Sequence, residues 1–449
     1  MSGAKLPPGP RYPAAVQGIG FWTRPLAFLE RCRARYGKRF TLRVPMAPPF
    51  VMITDPAQVK EVFTAPADVL HPGQGAKVLE PVVGTHSVIL LDGDAHMEQR
   101  KLMLPAFHGE KMEALSGVMA DVAEREVASW PRRTPIELHP RMQSLTLEII
   151  LRAVFGLESG DRFDALRVRL AAMLAFGDRA ISLIPPPPES LAARVLERVG
   201  PFAAYLRLQA EADELLFELI DERRRDGAER DDVLAMLLAA RHDDGSPMTQ
   251  QELRDELMTL LVAGHETTAS TLAWTCERLP RHPAVLAGLR DEMEADDGDA
   301  FLTATIQESL RRRPVLPNVG PRLVMQPVEV GGWSYPAGVC LVANAYLIHH
   351  DPEIYPEPYA FRPERFLDES PGTYTWIPFG GGRRRCLGAS FAMLETKVVL
   401  RAVLGACDLR SGADGAETAR RRNITIRPGR GTLAVLSDRR PVAAGVAGA

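Results

Sequence analysis

The strongest constraint on this chain is one long helix. Residues 248–283 read MTQQELRDELMTLLVAGHETTASTLAWTCERLPRHP. Thr249 stands three residues before Glu252, the spacing of a capping box, and Pro280 supplies a stop. Some thirty residues at about 1.5 Å each span roughly 45 Å, so this rod crosses a whole domain. One stripe runs Leu253, Leu257, Leu260, Gly264, Thr267, Thr271. It is large and apolar at its start and shrinks in the middle, where Ala263 and Thr268 flank it. A mid-helix glycine costs about 1 kcal/mol against alanine, so it needs a reason. Either another helix crosses closely there, or the helix makes room for a ligand. Glu266 beside Thr267 adds a carboxylate and a hydroxyl. A threonine hydroxyl can bond back to the carbonyl four residues earlier and loosen the helix, which admits water. A groove with an acid, an alcohol and water is suited to delivering protons.

Around this helix, residues 110–310 read as almost entirely helical, with IPPPPES at 184–190 as a loop within the block. Three short stretches read as β structure. They are RFTLRVPMAPPFVMITDP from residue 39, VEVGGWSYPAGVCLVA at 328–343, and NITIRPGRGTLAVL from residue 423, taken as a hairpin turning at Pro428 and Gly429. The last ten residues are expected to be a loose tail. With 46% hydrophobic and 25% charged residues and a net charge of -3, the 449-residue chain has ordinary soluble composition. That balance argues against a general nucleic-acid binder. No apolar run is long enough for a membrane span, and the proline-rich start has no signal core. A cytoplasmic location is therefore expected. The five cysteines are scattered, with no CxxC pair, as in a reducing compartment. The preference for arginine over lysine hints at a GC-rich bacterial genome.

The second informative stretch is PFGGGRRRCLGASFA, residues 378–392. The residues after Cys386 have helical periodicity, so the thiol lies near a helix N-terminus. There, free amides and the dipole favour a thiolate, and three arginines add positive charge. Gly380, Gly381 and Gly382 can take positive φ and let backbone lie close to a ligand. From these residues alone, a metal or haem ligand competes with a buried structural cysteine. A nucleophile lacks a nearby histidine base, and the glycine run lacks the P-loop order.

The pattern Phe379-x-x-Gly382-x-Arg384-x-Cys386-x-Gly388 resembles the cysteine-loop signature of the haem-thiolate cytochrome P450 family. Elsewhere, in the family's order, AGHETT at 263–268 resembles its oxygen-activating helix motif and Glu308-Ser309-Leu310-Arg311 its ExxR helix. FRPERF at 361–366 contributes Arg365, and HMEQR at 96–100 resembles the bacterial HxxxR segment. The resemblance covers roughly residues 26–436. It implies a mainly α fold with a small β region, the haem sandwiched between the long oxygen-activating helix and the cysteine-loop helix. It divides the chain into a proline-rich segment at 1–25, one catalytic domain at 26–436, and a disordered tail at 437–449.

The same resemblance implies roles. Cys386 would be the thiolate ligand of haem b, donating electron density that favours O–O cleavage. His96, Arg100, Arg322 and Arg384 would bind the propionates. Phe379 would shield the sulfur, and Gly388, Ala263 and Gly264 would lie against the haem. Glu308, Arg311 and Arg365 would form a structural ion-paired triad, against the bland alternative of a surface pair. Glu266 and Thr267 would deliver and position protons. His265 is given no catalytic role. Arg312 and Arg313 depart from the family's usual residues and are expected to face solvent. Val83, Val88, Val315, Val319 and Ile424, with the loop at 72–90 and helices at 165–205, would form an apolar substrate envelope. The implied reaction is monooxygenation of a lipophilic small molecule by dioxygen, by a monomer without a transmembrane anchor. Electrons would pass from NAD(P)H through a separate ferredoxin and ferredoxin reductase, the ferredoxin docking near Arg383 and Arg385. The alternatives are a peroxide-using or non-oxidative haem-thiolate enzyme, and a haem-binding sensor.

Overall fold

The computed structural model describes residues 5–439 except 108, 177–200, 229 and 297. The expectations for the 184–190 loop and for 440–449 of the tail lie outside the described residues, as does part of the 165–205 region. The helices that build the site are α1 (Ala14–Thr23), α2 (Pro56–Thr64), α3 (Gly93–Met103), α4 (Glu110–Ser129), α5 (Leu138–Ile149), α6 (Asp161–Phe176), α7 (Pro201–Asp226), α8 (Gln250–Arg278), α9 (Ala300–Arg312) and α10 (Ala389–Ala406). The capping box at Thr249 and Glu252 is fully formed, and α8 ends two residues before Pro280. The rod is buried along most of its length, packed by α5, α9, α10 and α7. The main core joins these helices through residues such as Leu145, Leu253, Leu257, Leu261, Leu272, Val399, Val403 and Leu404, all fully buried.

The β structure lies to one side. Strands β1 (Arg39–Leu42), β2 (Phe50–Ile53), β3 (Leu70–His71), β5 (Asn318–Val324) and β8 (Cys340–Asn344) form one sheet in the order β1-β2-β8-β5-β3. Only β2 and β8 run parallel within it. Its two faces pack on separate apolar clusters, one with α2 and one with α1, where Phe21 meets Phe28 and Phe40. The proline-rich start of the chain is thus built into the fold through α1. Strand β4 (Pro135–Glu137) comes next before α5, and β6 (Val328–Val330) pairs with β7 (Trp333–Tyr335) across Gly331 and Gly332, both at positive φ.

The C-terminal hairpin differs from the sequence reading. Its turn is at Asn423 and Ile424, not at Pro428 and Gly429: β10 (Ala419–Arg422) pairs with β11 (Thr425–Pro428). Asn423 takes φ 51°, which asparagine tolerates better than most residues. The following strand, β12 (Leu433–Asp438), pairs instead with β4 and with β9 (Cys407–Ser411). Among the described residues, no helix is long and apolar enough to cross a membrane.

Candidate active site

The middle of α8 opens as its shrinking stripe suggested. Ala263 is exposed, and Val262, Gly264 and Thr267 are half-buried, within a helix that is otherwise largely buried. The Thr267 hydroxyl donates to the Ala263 carbonyl at 2.6 Å. Both readings of Gly264 hold together. A Cβ there would meet Ile150 Cδ1 at 3.3 Å, where α5 continues into a π turn over Ile150–Val154, while the neighbouring face stays open.

Cys386 sits before α10, with its amide donating to the Phe379 carbonyl at 2.9 Å. The Phe379 ring stacks edge-on with Trp376, centroids 5.9 Å apart. The thiol is accessible yet deeply placed. Burial pushes it above the ordinary cysteine range, against the Gly388 amide and the charges of Arg100 and Arg385. The expectation that the helix start and the arginines favour the thiolate is therefore corrected: desolvation opposes them and prevails. The glycines serve a different neighbour from the one expected. A Cβ on Gly381 would strike the Phe63 ring at 2.5 Å, and one on Gly382 would strike the Phe63 carbonyl at 2.3 Å. Their absence of side chains lets the cysteine loop close onto α2.

Beyond the cysteine, cations converge. His96 on α3 is buried, and its pKa is pushed down to about 3, first by burial and then by Arg384, Arg100 and Arg322. Arg322 reaches this place because β5 breaks register between Val319 and Arg322; its guanidinium stacks over Phe63 at 5.3 Å. Arg384 binds the Val88 and Leu91 carbonyls and the Asp92 carboxylate. Asp92 itself accepts from the Gly73 and Gln74 amides and is an acid that sequence reasoning missed. One thiol, one imidazole and three guanidiniums with a single carboxylate among them leave positive charge to spare. That donor set fits an iron porphyrin, which takes one thiolate and presents two anionic propionates.

The triad is brought together. Glu308 and Arg311 are fully buried, which rules out the surface pair. All the Arg311 donor nitrogens are used: Nε and Nη2 bind Glu308 at 2.6 and 2.8 Å, and Nη1 and Nη2 bind the carbonyls of His349, Pro358 and Ala360. Arg365 Nε lies 3.4 Å from Glu308. His349 then accepts from the Ile377 amide, which links the triad to the start of the cysteine loop. Arg312 and Arg313 do not face solvent. Arg312 is buried over the Tyr359 ring and bonded to His350 Nε2, and Arg313 stacks on Trp274 at 5.2 Å. Burial, helped by the neighbouring arginines, pushes Arg312 down to about 9.

Glu266 and Thr267 do not share one groove. Glu266 turns to α5, where its carboxylate accepts from His139 Nε2 (3.2 Å), Gln143 Nε2 (2.8 Å) and Ser270 Oγ (3.0 Å), and pairs with Arg422 at the end of β10. Burial alone would raise its pKa, but the His139 hydrogen bond and the Arg422 charge carry it down to about 2. None of His139, Gln143 or Arg422 was anticipated. Only the run Arg420, Arg421, Arg422 beside an apolar hairpin hinted that a cation there had a buried task. Of the proposed envelope, Val83, Val88, Val315 and Val319 are buried and Ile424 is half-buried at the hairpin turn.

The chain is similar to known proteins along nearly its whole length. The family profile described as Cytochrome P450 matches residues 7–434. A protein described as cytochrome P450 135B1 of Mycobacterium tuberculosis is 40% identical, the alignment covering 99% of this chain and 94% of that protein. One described as cytochrome P450 138 of Mycobacterium bovis is 38% identical over 97% of each. Among solved structures, cyanobacterial CYP120A1 bound to retinoic acid superposes with a TM-score of 0.83 at 22% identity, covering 97% of this chain and 100% of that one. The haem domain of cytochrome P450DA gives 0.82 at 24% identity, covering 97% and 98%.

Proposed function

Because the chain belongs to the cytochrome P450 family, whose members are haem-thiolate monooxygenases, we propose that it inserts one atom of dioxygen into a lipophilic small molecule, by C–H hydroxylation or epoxidation. The carrying observation is the accessible Cys386 thiol grouped with Arg100, Arg322, Arg384 and His96. Bound there, haem b supplies the dioxygen activation.

The chain's own residues do the rest. Cys386 is the metal ligand; a positive charge on the bound iron offsets the burial that otherwise keeps the thiol protonated. His96, Arg100, Arg322 and Arg384 hold the propionates, while Phe379 and Gly388 border the sulfur. Ala263 and Gly264 would leave room for the group in the middle of α8, and Thr267 would position the proton donor in the opened groove. The triad of Glu308, Arg311 and Arg365 keeps the cysteine loop in place, and the buried valines with Ile424 select an apolar substrate. Electrons come from NAD(P)H through a ferredoxin and its reductase, with docking at Arg383 and Arg385, both exposed. The protein works in the cytoplasm as a monomer.

The test has two parts. The reduced protein with carbon monoxide should give the thiolate optical signature, lost in Cys386→Ser. Thr267→Ala should consume NAD(P)H with most of the electrons released as peroxide. A Thr267→Ala protein that hydroxylates with undiminished coupling overturns the role of Thr267.

A further inference from the structure

The outer face of α1 is apolar where a surface helix is ordinarily charged. Residues 12–23 contain no charged side chain. The buried face is Gln17, Gly18 and Phe21. The outward face carries Tyr12, Val16 and Ile19, spaced four and three apart and 45%, 50% and 63% exposed. A second uncharged segment, VPMAPP at 44–49, joins β1 to β2 and packs on this helix. A Cβ on Gly18 would lie 3.1 Å from Pro45 Cδ and 3.4 Å from the Trp22 ring. Met46, next to Pro45, is 66% exposed at φ 61°. Gln17 locks the two segments together: its side-chain amide donates to the Pro10 and Tyr12 carbonyls, and its oxygen accepts from the Arg43 amide. Of the nine large apolar residues exposed among the described residues, these four gather at α1, and the other five are spread from Val78 to Leu367.

Cations surround this patch. Residues 1–54 hold nine lysines and arginines against one acid, Glu30, whereas the whole chain holds 54 against 57. Arg11 and Arg24 bracket α1, and Arg43 stands three residues before Met46. All three are exposed, and among the described residues none of them pairs with a carboxylate. Arg31 and Arg35, exposed on the helix Pro25–Tyr36, lie close enough to Tyr12 to bear on its hydroxyl. Glu30 is already engaged by the Tyr346 and Tyr359 hydroxyls. We infer that this face is a peripheral docking surface for an anionic lipid bilayer. Val16, Ile19 and Met46 enter the boundary between headgroups and acyl chains, Tyr12 and Trp22 sit at headgroup level, and the arginines meet the phosphates. A second copy of the chain fits the patch less well, because it would set one cationic rim against another. The attachment is reversible, as the small area of one helix face requires. It goes beyond the monooxygenase reading and does not depend on it.

The test is co-sedimentation of the haem-loaded protein with vesicles of phosphatidylcholine alone or mixed equally with phosphatidylglycerol. At about 0.1 M salt the mixed vesicles should bind at least about tenfold more tightly, and the preference should collapse at about 1 M. Ile19→Asp combined with Met46→Asp should abolish binding while thermal unfolding matches the wild type, since both side chains are exposed. Arg11→Gln, Arg24→Gln and Arg43→Gln together should weaken binding about tenfold or more with the apolar face intact. Met325→Asp, a change at an exposed apolar residue elsewhere, should bind like the wild type. Equal binding to both kinds of vesicle, binding to neither, or undiminished binding by the Ile19→Asp, Met46→Asp protein overturns the inference. So does a concentration-dependent dimer in analytical ultracentrifugation that the same double variant abolishes, which would make the face a self-contact.

Discussion

Glu266 and Glu395 are both buried carboxyl groups beside the Thr267–Thr268 step of α8, and they end in opposite states. Glu266 faces α5 and the hairpin, receives donors from His139, Gln143, Ser270 and Arg422, and is carried down to about 2. Glu395 stands on α10, nine residues after the thiol, with the Thr268 hydroxyl turned to it. Among the described residues, neither of its oxygens makes a hydrogen bond of ordinary length. Burial there raises it to about 8, so it holds its proton at neutral pH. Depth does not decide between them; the number of donors and the presence of a cation do. A sequence reader who assigns protons by the name of the residue would give both the same state.

The comparison can be broken most forcefully at Arg422. Arg422→Ala leaves a buried carboxylate without its cation and should cost about 3–5 kcal/mol at neutral pH by denaturant unfolding. The Glu266→Gln, Arg422→Ala double variant should recover part of that loss. If the two variants are equally unstable, the ion pair is not what distinguishes Glu266.

Glu395→Gln sharpens the other half. A folded pKa raised above the ordinary value of 4.5 favours the fold fully below 4.5, and that advantage is lost as pH rises toward about 8. Glutamine keeps the neutral shape at every pH. The variant should therefore match the wild type near pH 4 and exceed it by up to about 5 kcal/mol above pH 8. Urea unfolding at a series of pH values reads this directly, and parallel curves would show that Glu395 finds a partner when charged.

The smallest effect lies near the N-terminal end of α8. His242 meets Glu98 Oε1 at 3.0 Å and Glu252 Oε1 at 3.5 Å. Burial alone would lower it, but the two carboxylates together raise it. Its contribution is present below the ordinary histidine value and lost as pH rises through the raised one. His242→Gln should flatten stability across that window by a few tenths of a kcal/mol, the usual scale of a screened pair.

Much of the fold and site was legible because it rests on local chemistry. The capping box, the proline stop and the shrinking stripe are encoded by neighbours in sequence, and they gave the length of α8 and its opening. The cysteine loop, the ExxR helix and the HxxxR helix were readable through their resemblance to the family's motifs. The hairpin was misplaced because Pro428 and Gly429 are strong turn residues, whereas the turn used is at Asn423, and Leu433–Asp438 finds its partners in β4 and β9, far away in the chain. Arg312 and Arg313 were misjudged because charge predicts exposure, and only the placement of Tyr359, His350 and Trp274 makes their burial tolerable.

By itself the sequence determined a helical protein built around one capped rod, with a thiol poised at a helix start and a set of cations able to meet two carboxylates. The tertiary structure alone decided which acids hold protons. Ionisation in a buried site depends on how many donors and charges approach from other segments, and Arg422, His139 and Thr268 reach their carboxylates only once the chain has folded.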